Sequence, residues 1–314
     1  MLSKLLDFAV VVPTRNAGPG WTQWLDALDA QDIKPSEVLV IDSSSTDRTA
    51  ELARARGYRV EIIPVSSFNH GRTRQDAVSK VGGVEVIVML TQDAILSTKQ
   101  TLNALVSLFD DPRVGAAFGR QLPRPGAKPM EAHARLFNYP LSSRVVTARD
   151  IPTLGIKAAA ISNSFAAYRR SALDEVGGFP GNVPLCEDTY VAAKMLLADW
   201  EISYSAYAAV YHSHDYTGWD EFRRYFDIGV FHSRECWLLD AFGKPEGEGL
   251  RYLRSEVEYL WREAPGWVVS SIVRNVLKFT GYRLGRIERR LPKYLKKRIS
   301  MHVSYWECEV DNGN

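Results

Sequence analysis

Short β-branched runs alternate with helical patterns from Phe8 to Phe109, and that alternation restricts the fold of this chain more than any other feature. The runs Phe8 to Val12, Val38 to Ile41, Val60 to Ile63 and Val84 to Leu90 are bounded by turn residues, as strands covered on both faces are. Helical patterns at Trp21 to Ala30, Asp47 to Arg56, Arg72 to Lys80 and Thr98 to Phe109 lie between and after them. The pattern predicts β-α units around a mostly parallel sheet flanked by helices, an α/β fold that binds ligands at the carboxyl ends of its strands. Those ends carry the polar residues: Pro13-Thr14-Arg15-Asn16, Asp42-Ser43-Ser44-Ser45 and Thr91-Gln92-Asp93-Ala94.

With 314 residues the chain has enough apolar surface for one large α/β domain or two modest ones without staples. Leu122 to Pro129, rich in proline, reads as a loop leaving the first half. A more irregular part is expected to about His214, and a helical one from Gly218. The expected division is therefore 1–125, 126–217 within the same domain, and 218–314 as a helical basic extension. Cys186, Cys236 and Cys308 are widely spaced and odd in number, which fits packing residues in a reducing compartment and argues against a zinc site. The net charge of +2 carries no nucleic-acid signature. Met1 to Val12 is too short to span a bilayer and lacks a signal-peptide pattern, so a cytoplasmic protein is expected.

Particular residues suggest chemistry. Asp93 follows an apolar run and a threonine, where a carboxylate must be paired, solvated or metal-bound, and Mg2+ or Mn2+ with diphosphate oxygens is the economical partner. Asp42, at a strand tip, is placed to accept a hydrogen bond from the imide N–H of a pyrimidine. Ser45 and Asp47 serve equally well as helix caps. Phe68-Asn69-His70-Gly71-Arg72-Thr73-Arg74 resembles an anion cradle at a helix start. Glu187 and Asp188 sit together at another helix start. One suffices as a cap, leaving a general base, with Asp188 favoured and Glu187 the substitute. A strand is expected at Tyr207 to Tyr211, and its alternation turns His212 and His214 the same way, toward a metal or a diphosphate, although a structural loop histidine is an equal alternative for each.

Taken in order, these stations resemble the family 2 glycosyltransferases of GT-A fold, and within them the bacterial rhamnosyltransferases. The resemblance rests on Val11 to Asn16, Val40 to Asp47, the Phe68 to Arg74 loop, Thr91 to Ala94, Cys186 to Asp188 and His212 to His214. It implies that Pro13, Thr14, Arg15, Asn16, Asp42, Ser44, His70, Arg72, Arg74, Gln92 and Asp93 hold a nucleotide sugar. It also implies that Asp93 is the last acid of the family's DxD metal motif. Thr91 stands at the first acidic position, so a single carboxylate anchors the metal unless His212 or His214 assists. By the same resemblance Asp188 is the base of an inverting transfer, and the Phe68 to Arg74 loop points to dTDP-L-rhamnose as donor. The implied acceptor is a saccharide or a polyprenyl-diphosphate-linked saccharide of a cell-surface polysaccharide.

Trp267 to Ile287 has the spacing of an amphipathic helix, and Arg289, Arg290, Lys293, Lys296, Lys297 and Arg298 follow it. That composition suits peripheral contact with an anionic membrane at its inner face, or a helix packed on the catalytic domain with a solvated basic side. Other functions compete. A dinucleotide-binding oxidoreductase is disfavoured because Pro-Thr-Arg-Asn replaces the glycine-rich turn after the first strand. A noncatalytic sugar- or lipid-binding scaffold, or a transferase using another donor such as a UDP-hexose, stays open.

Overall fold

The computed structural model describes residues 6–243 and 247–307; Cys308 lies outside them. The alternating part is β1 (Phe8–Thr14), α1 (Trp21–Asp29), β2 (Glu37–Asp42), α2 (Thr49–Ala55), β3 (Arg59–Ile62), α3 (His70–Lys80) and β4 (Val86–Leu90). The middle holds β5 (Ile95–Leu96), α4 (Thr101–Val106), β6 (Val114–Leu122), α5 (Pro129–Asn138), β7 (Arg144–Val146), α6 (Ile151–Leu154), β8 (Phe165–Arg169), α7 (Arg170–Glu175), α8 (Glu187–Leu197) and β9 (Glu201–Tyr211). Helices follow: α9 (Gly218–Arg234), α10 (Cys236–Phe242), α11 (Glu248–Glu263), α12 (Val268–Arg286), α13 (Lys293–Ile299) and α14 (Val303–Glu307).

All the strands join one sheet in the order β3-β2-β1-β4-β8-β6-β9-β5, with β7 on β9. The pairs from β3 through β4 are parallel, as is β6 with β9, while β8 runs antiparallel between β4 and β6. Alternation places Ala9, Val11, Leu39, Ile41, Ile87 and Met89 in one core. Phe8, Val10, Val12, Val40, Val86 and Val88 enter the other, on the opposite face. Helix α1 caps the second core with Trp21, Trp24, Leu25 and Leu28, one helical stripe whose indoles stack at 4.6 Å.

The two longest strands are β6, just before the loop at Leu122, and β9, which extends the strand expected at Tyr207 to Tyr211 back to Glu201. Their alanines, glycines and serines carry little β-branched signal, yet those small residues are what the packing requires. A Cβ on Gly119 would lie 2.4 Å from the Ala208 carbonyl oxygen, and one on Gly115 2.8 Å from Trp200. The predicted helix at Asp47 begins at Thr49, because Asp47 accepts from the Thr49 backbone N–H instead of entering the helix. Cys186 packs against the core, but Cys236 is exposed, contrary to its expected packing role.

The C-terminal helices form their own core, in which α9 supplies Phe222, Phe226 and Val230 and later segments supply Ile299 and Trp306. No helix among the described residues is long and apolar enough to cross a membrane.

Candidate active site

The tips of β1, β2 and β4 are tied together by side chains. Asp42, fully buried, accepts from Thr14 Oγ1 at 3.0 Å, from the Ser45 backbone N–H at 2.8 Å and from Ser45 Oγ at 2.5 Å. Asn16 and Ser44 both adopt left-handed backbone, which bends the two loops toward each other. Asn16 Oδ1 accepts from the Thr46 N–H, and Ser44 Oγ donates to the Ile63 carbonyl. Gln92 clamps the backbone of Arg15 at two points, accepting at 2.7 Å and donating at 3.0 Å. Its amide is therefore a brace between strands, and the Arg15 side chain is left exposed beside it. Pro13 ends β1 partly exposed, on the same rim.

Strand register brings the candidate metal-ligating residues together. In the antiparallel β5–β9 pair, Ile95 faces Tyr211 and Leu96 faces Val210, so Asp93 just before β5 meets the chain just after β9. His212 Nε2 lies 3.3 Å from Asp93 Oδ2 and His214 Nδ1 3.6 Å from the same oxygen. The three candidate ligand atoms are within 4.8 Å of one another. On the far side of the His212 ring, Nδ1 is 2.8 Å from Gln121 Oε1, an acceptor, which makes Nδ1 the protonated nitrogen. Nε2 then presents a lone pair to the carboxylate, and it is buried without a hydrogen-bond partner. Burial depresses both imidazoles, His214 to about 3, so both are neutral. A neutral nitrogen lone pair facing a carboxylate is unfavourable unless a cation stands between them. These residues fit a divalent metal.

Asp188 and Glu187 open α8 after Cys186, which takes a left-handed conformation and turns the chain into the helix. Their surroundings separate their roles. Glu187 is buried and paired with Arg74, Oε1 to Nη1 at 3.1 Å, and it accepts from Asn163 Nδ2 at 2.9 Å. Among the described residues, no cation is bonded to Asp188. It accepts from the Thr189 N–H at 2.8 Å and the Asn163 N–H at 3.1 Å. Desolvation first, and the adjacent Glu187 charge second, push its carboxyl up to about 6 despite those hydrogen bonds. A carboxylate that exchanges its proton near neutrality is suited to general-base work. Glu187, the expected substitute, is spent on Arg74.

The expected anion cradle is closed by its own groups. Asn69 caps α3, accepting from the Gly71 and Arg72 N–H groups, so those amides are not free. Arg74 turns inward to Glu187 and to the His70 carbonyl. Burial drives the His70 imidazole down to about 3, and its ring meets His302 edge-on at 4.7 Å. Gly71 is required for close approach: a Cβ there would lie 1.8 Å from the Pro180 carbonyl oxygen. Of this loop, only Arg72 leaves its guanidinium exposed.

Several residues that complete the site carry no sequence signal of their own. Gln121 Nε2 donates to Ser162 Oγ at 3.0 Å, and the next residue, Asn163, donates its N–H to Asp188, so one chain of contacts runs from His212 to Asp188. Arg124 Nη2 bonds the Asp93 carbonyl, and Arg135 Nε bonds the His212 carbonyl at 2.8 Å. Arg224 of α9 is within electrostatic reach of both His214 and Asp188. With Arg124 after β6 and Arg135 on α5 it places positive charge around the candidate residues, a convergence that only the packing of these elements shows.

Residues 9–177 match the family model described as glycosyl transferase family 2. The chain belongs to that family. This family 2 chain is 44% identical, over 301 residues and 96% of both sequences, to the O-antigen chain rhamnosyltransferase WbaN of Salmonella anatum. It is 44% identical over 302 residues, again 96% of both, to the O-antigen chain rhamnosyltransferase RfbN of Salmonella typhimurium. It is a glycosyltransferase. Among solved structures, it resembles the mannosyltransferase PcManGT from Pyrobaculum calidifontis, determined with GDP-Man and Mn2+. The TM-score is 0.59 at 20% identity, over 97% of this chain and 86% of that one. Residues 1–349 of TarS from S. aureus superpose with a TM-score of 0.52 at 19% identity, over 91% of each chain. At such identities the likeness establishes the GT-A fold of this family 2 enzyme.

Proposed function

We propose that the protein is an inverting, metal-dependent rhamnosyltransferase. It takes L-rhamnose from dTDP-L-rhamnose and adds it to a polyprenyl-diphosphate-linked saccharide of a cell-surface polysaccharide, working in the cytoplasm at the inner face of the membrane. The observation that carries this reading is the pairing of a carboxylate poised at about 6, Asp188, with the Asp93–His212–His214 cluster along one chain of contacts. The rhamnosyl donor is supported by two relatives named as rhamnosyltransferases that match nearly end to end.

In this reading Pro13, Thr14, Asn16, Asp42 and Ser44 line the nucleotide pocket, with the exposed Arg15 and Arg72 at its mouth. Arg124 and Arg224 hold the diphosphate. Asp188 takes the proton from the acceptor hydroxyl as that oxygen bonds the anomeric carbon, and the bond to the diphosphate breaks on the opposite face, inverting the configuration. Asp93, His212 and His214 would hold Mg2+ or Mn2+, which when bound neutralises charge on the leaving diphosphate. Two imidazoles in the ligand set favour Mn2+ over Mg2+. Asn163 and Gln121 keep base and ligands in register.

The test is transfer from a panel of nucleotide sugars to a lipid-linked acceptor with added Mn2+, with the anomeric configuration of the product read by NMR. The expected result is an inverted rhamnoside from dTDP-L-rhamnose alone. Turnover of a UDP-hexose in its place withdraws the rhamnosyl assignment, and retained configuration removes the role of Asp188.

A further inference from the structure

Helix α12 is amphipathic in the reverse of the usual sense. Its inner side is largely polar or small, with only Leu277 and Leu284 of its larger apolar residues packed on the C-terminal core. Arg274 Nε bonds Glu221 at 2.5 Å, Lys278 Nζ bonds the same carboxylate at 3.0 Å, and Asn275 Nδ2 and Ser271 Oγ both reach Glu256. Gly281 and Gly285 bring its backbone against α9, where a Cβ would lie 2.3 Å from the Phe222 carbonyl oxygen and 2.0 Å from that of Phe226. The outer side carries Val269, Ile272, Val273, Val276 and Phe279, each 46–73% exposed. At 100° per residue these five positions share one face, continued by Arg283 and Ile287.

A helix docked only to stabilise the protein would turn that stripe inward, where its burial would be favourable. Here most of the polar side is consumed within, and five large apolar side chains are presented outward. We propose that the outer face of α12 lies in the interfacial region of an anionic lipid bilayer, with the helix axis parallel to the membrane plane.

Charge decides the occupant. Helix α12 carries no acidic residue, and exposed Arg283, Arg289, Arg290 and Arg298 continue from its C-terminal end, complementary to anionic headgroups. Exposed Trp261 precedes the helix and exposed Tyr294 follows it, the two aromatic types that favour the headgroup level. The basic run contributes less than its composition suggests, because Lys296 is bound to buried Glu288 and Lys297 to Glu307. The apolar face, which a count of charges overlooks, supplies the larger part of the contact.

The orientation matters for catalysis. On α9, Phe222, Phe226 and Gly229 are among the residues that face α12, and Arg224 lies on the other side of the helix, toward Asp188. With helices packed about 8–10 Å apart, the catalytic pocket is roughly two helix layers from the bilayer, within reach of a saccharide held on a membrane-borne diphosphate. The inference rests on the reading of a lipid-linked acceptor.

The experiment is flotation of the full chain with vesicles of phosphatidylethanolamine and phosphatidylglycerol in equal parts, alongside vesicles of phosphatidylcholine. Transfer to a lipid-free acceptor saccharide is measured in the same preparations. The variant combines Ile272→Ser, Val276→Ser and Phe279→Ser, all exposed, so the fold is kept and circular dichroism checks it. Leu141→Ser, exposed elsewhere, is the control. Wild type and control are expected to float with the anionic vesicles and the triple variant to bind about a hundredfold more weakly, with lipid-free transfer equal in all three. A wild type that stays with the soluble fraction, or a triple variant that floats like it, overturns the inference. So does a vesicle-free dimer, seen by light scattering, that the triple substitution dissociates, because a second copy would then own the face. Loss of rhamnose transfer with flotation intact would instead overturn the proposed activity and leave the membrane face standing.

Discussion

Replacing Asp188 by asparagine separates a catalytic base from a helix cap, because the two roles predict opposite signs. The folded protein holds this carboxyl at about 6 against an ordinary 3.8. A group raised in the folded state contributes stability that is full below its unfolded value and lost as pH rises through the folded one. Between pH 5 and pH 8 wild type should therefore lose on the order of 1 kcal/mol relative to Asp188→Asn, from linkage with those two values. An asparagine oxygen can accept from only one of the two N–H donors, Thr189 or Asn163, which offsets the variant's absolute gain by about 1–3 kcal/mol. The pH dependence of the difference is the safer observable. Urea midpoints of both proteins across that range provide it, and kcat/KM from initial rates provides the other half. Loss of a general base costs roughly 10²–10⁴ in rate, and the wild-type profile should rise through pH 6. Parallel stability curves together with a variant within tenfold of wild-type activity would refute both the burial argument and the assignment of the base.

Gln121→Ala should weaken Mn2+ binding by about 10–100-fold, since the amide fixes the His212 tautomer. Isothermal titration measures it, and an unchanged affinity would exclude His212 as a ligand. Glu187→Gln leaves Arg74 buried without its counter-ion and should destabilise by about 3–5 kcal/mol. The same change removes a charge that raises Asp188, so the acid limb of kcat/KM should move below pH 6; a limb that does not move contradicts the coupling. Gly71→Ala should cost about 1–3 kcal/mol in a denaturant titration, because its methyl meets the Pro180 carbonyl.

The parallel half of the fold was legible because its strands are built from valine and isoleucine and its helices from periodic stripes, signals that survive in a local window. Strand β6 and the first part of β9 were not, because alanine, glycine and serine hold strand positions there only for the sake of what packs on them, such as Phe165 against Gly119, whereas the end of β9 at Tyr207 to Tyr211 was. The site divides in the same way. Asp93, Asp188 and the two histidines announce themselves as charged or coordinating groups at element ends. The cradle misled for a complementary reason: Arg74 and the amides at the start of α3 have the chemistry to bind a phosphate, but Glu187 and Asn69 reach them first. Chemical type can be read from one position, whereas availability depends on a partner distant in sequence.

The same distinction explains how a reduced metal motif can suffice. A DxD pair keeps two carboxylates on one short loop, so the loop alone specifies the ligand set. Here that loop keeps one carboxylate and gives its neighbour Gln92 to bracing Arg15. The other candidate ligands come from beyond β9, and their position depends on the register of β5 on β9 and of β9 on β6, with Gln121 holding the ring. A ligand set divided between strand ends forms only when the sheet has closed, and neutral imidazoles add no negative charge to repel an arriving diphosphate. Metal affinity in the absence of nucleotide should therefore be lower than a pair of acids would give, and the bound donor should raise it.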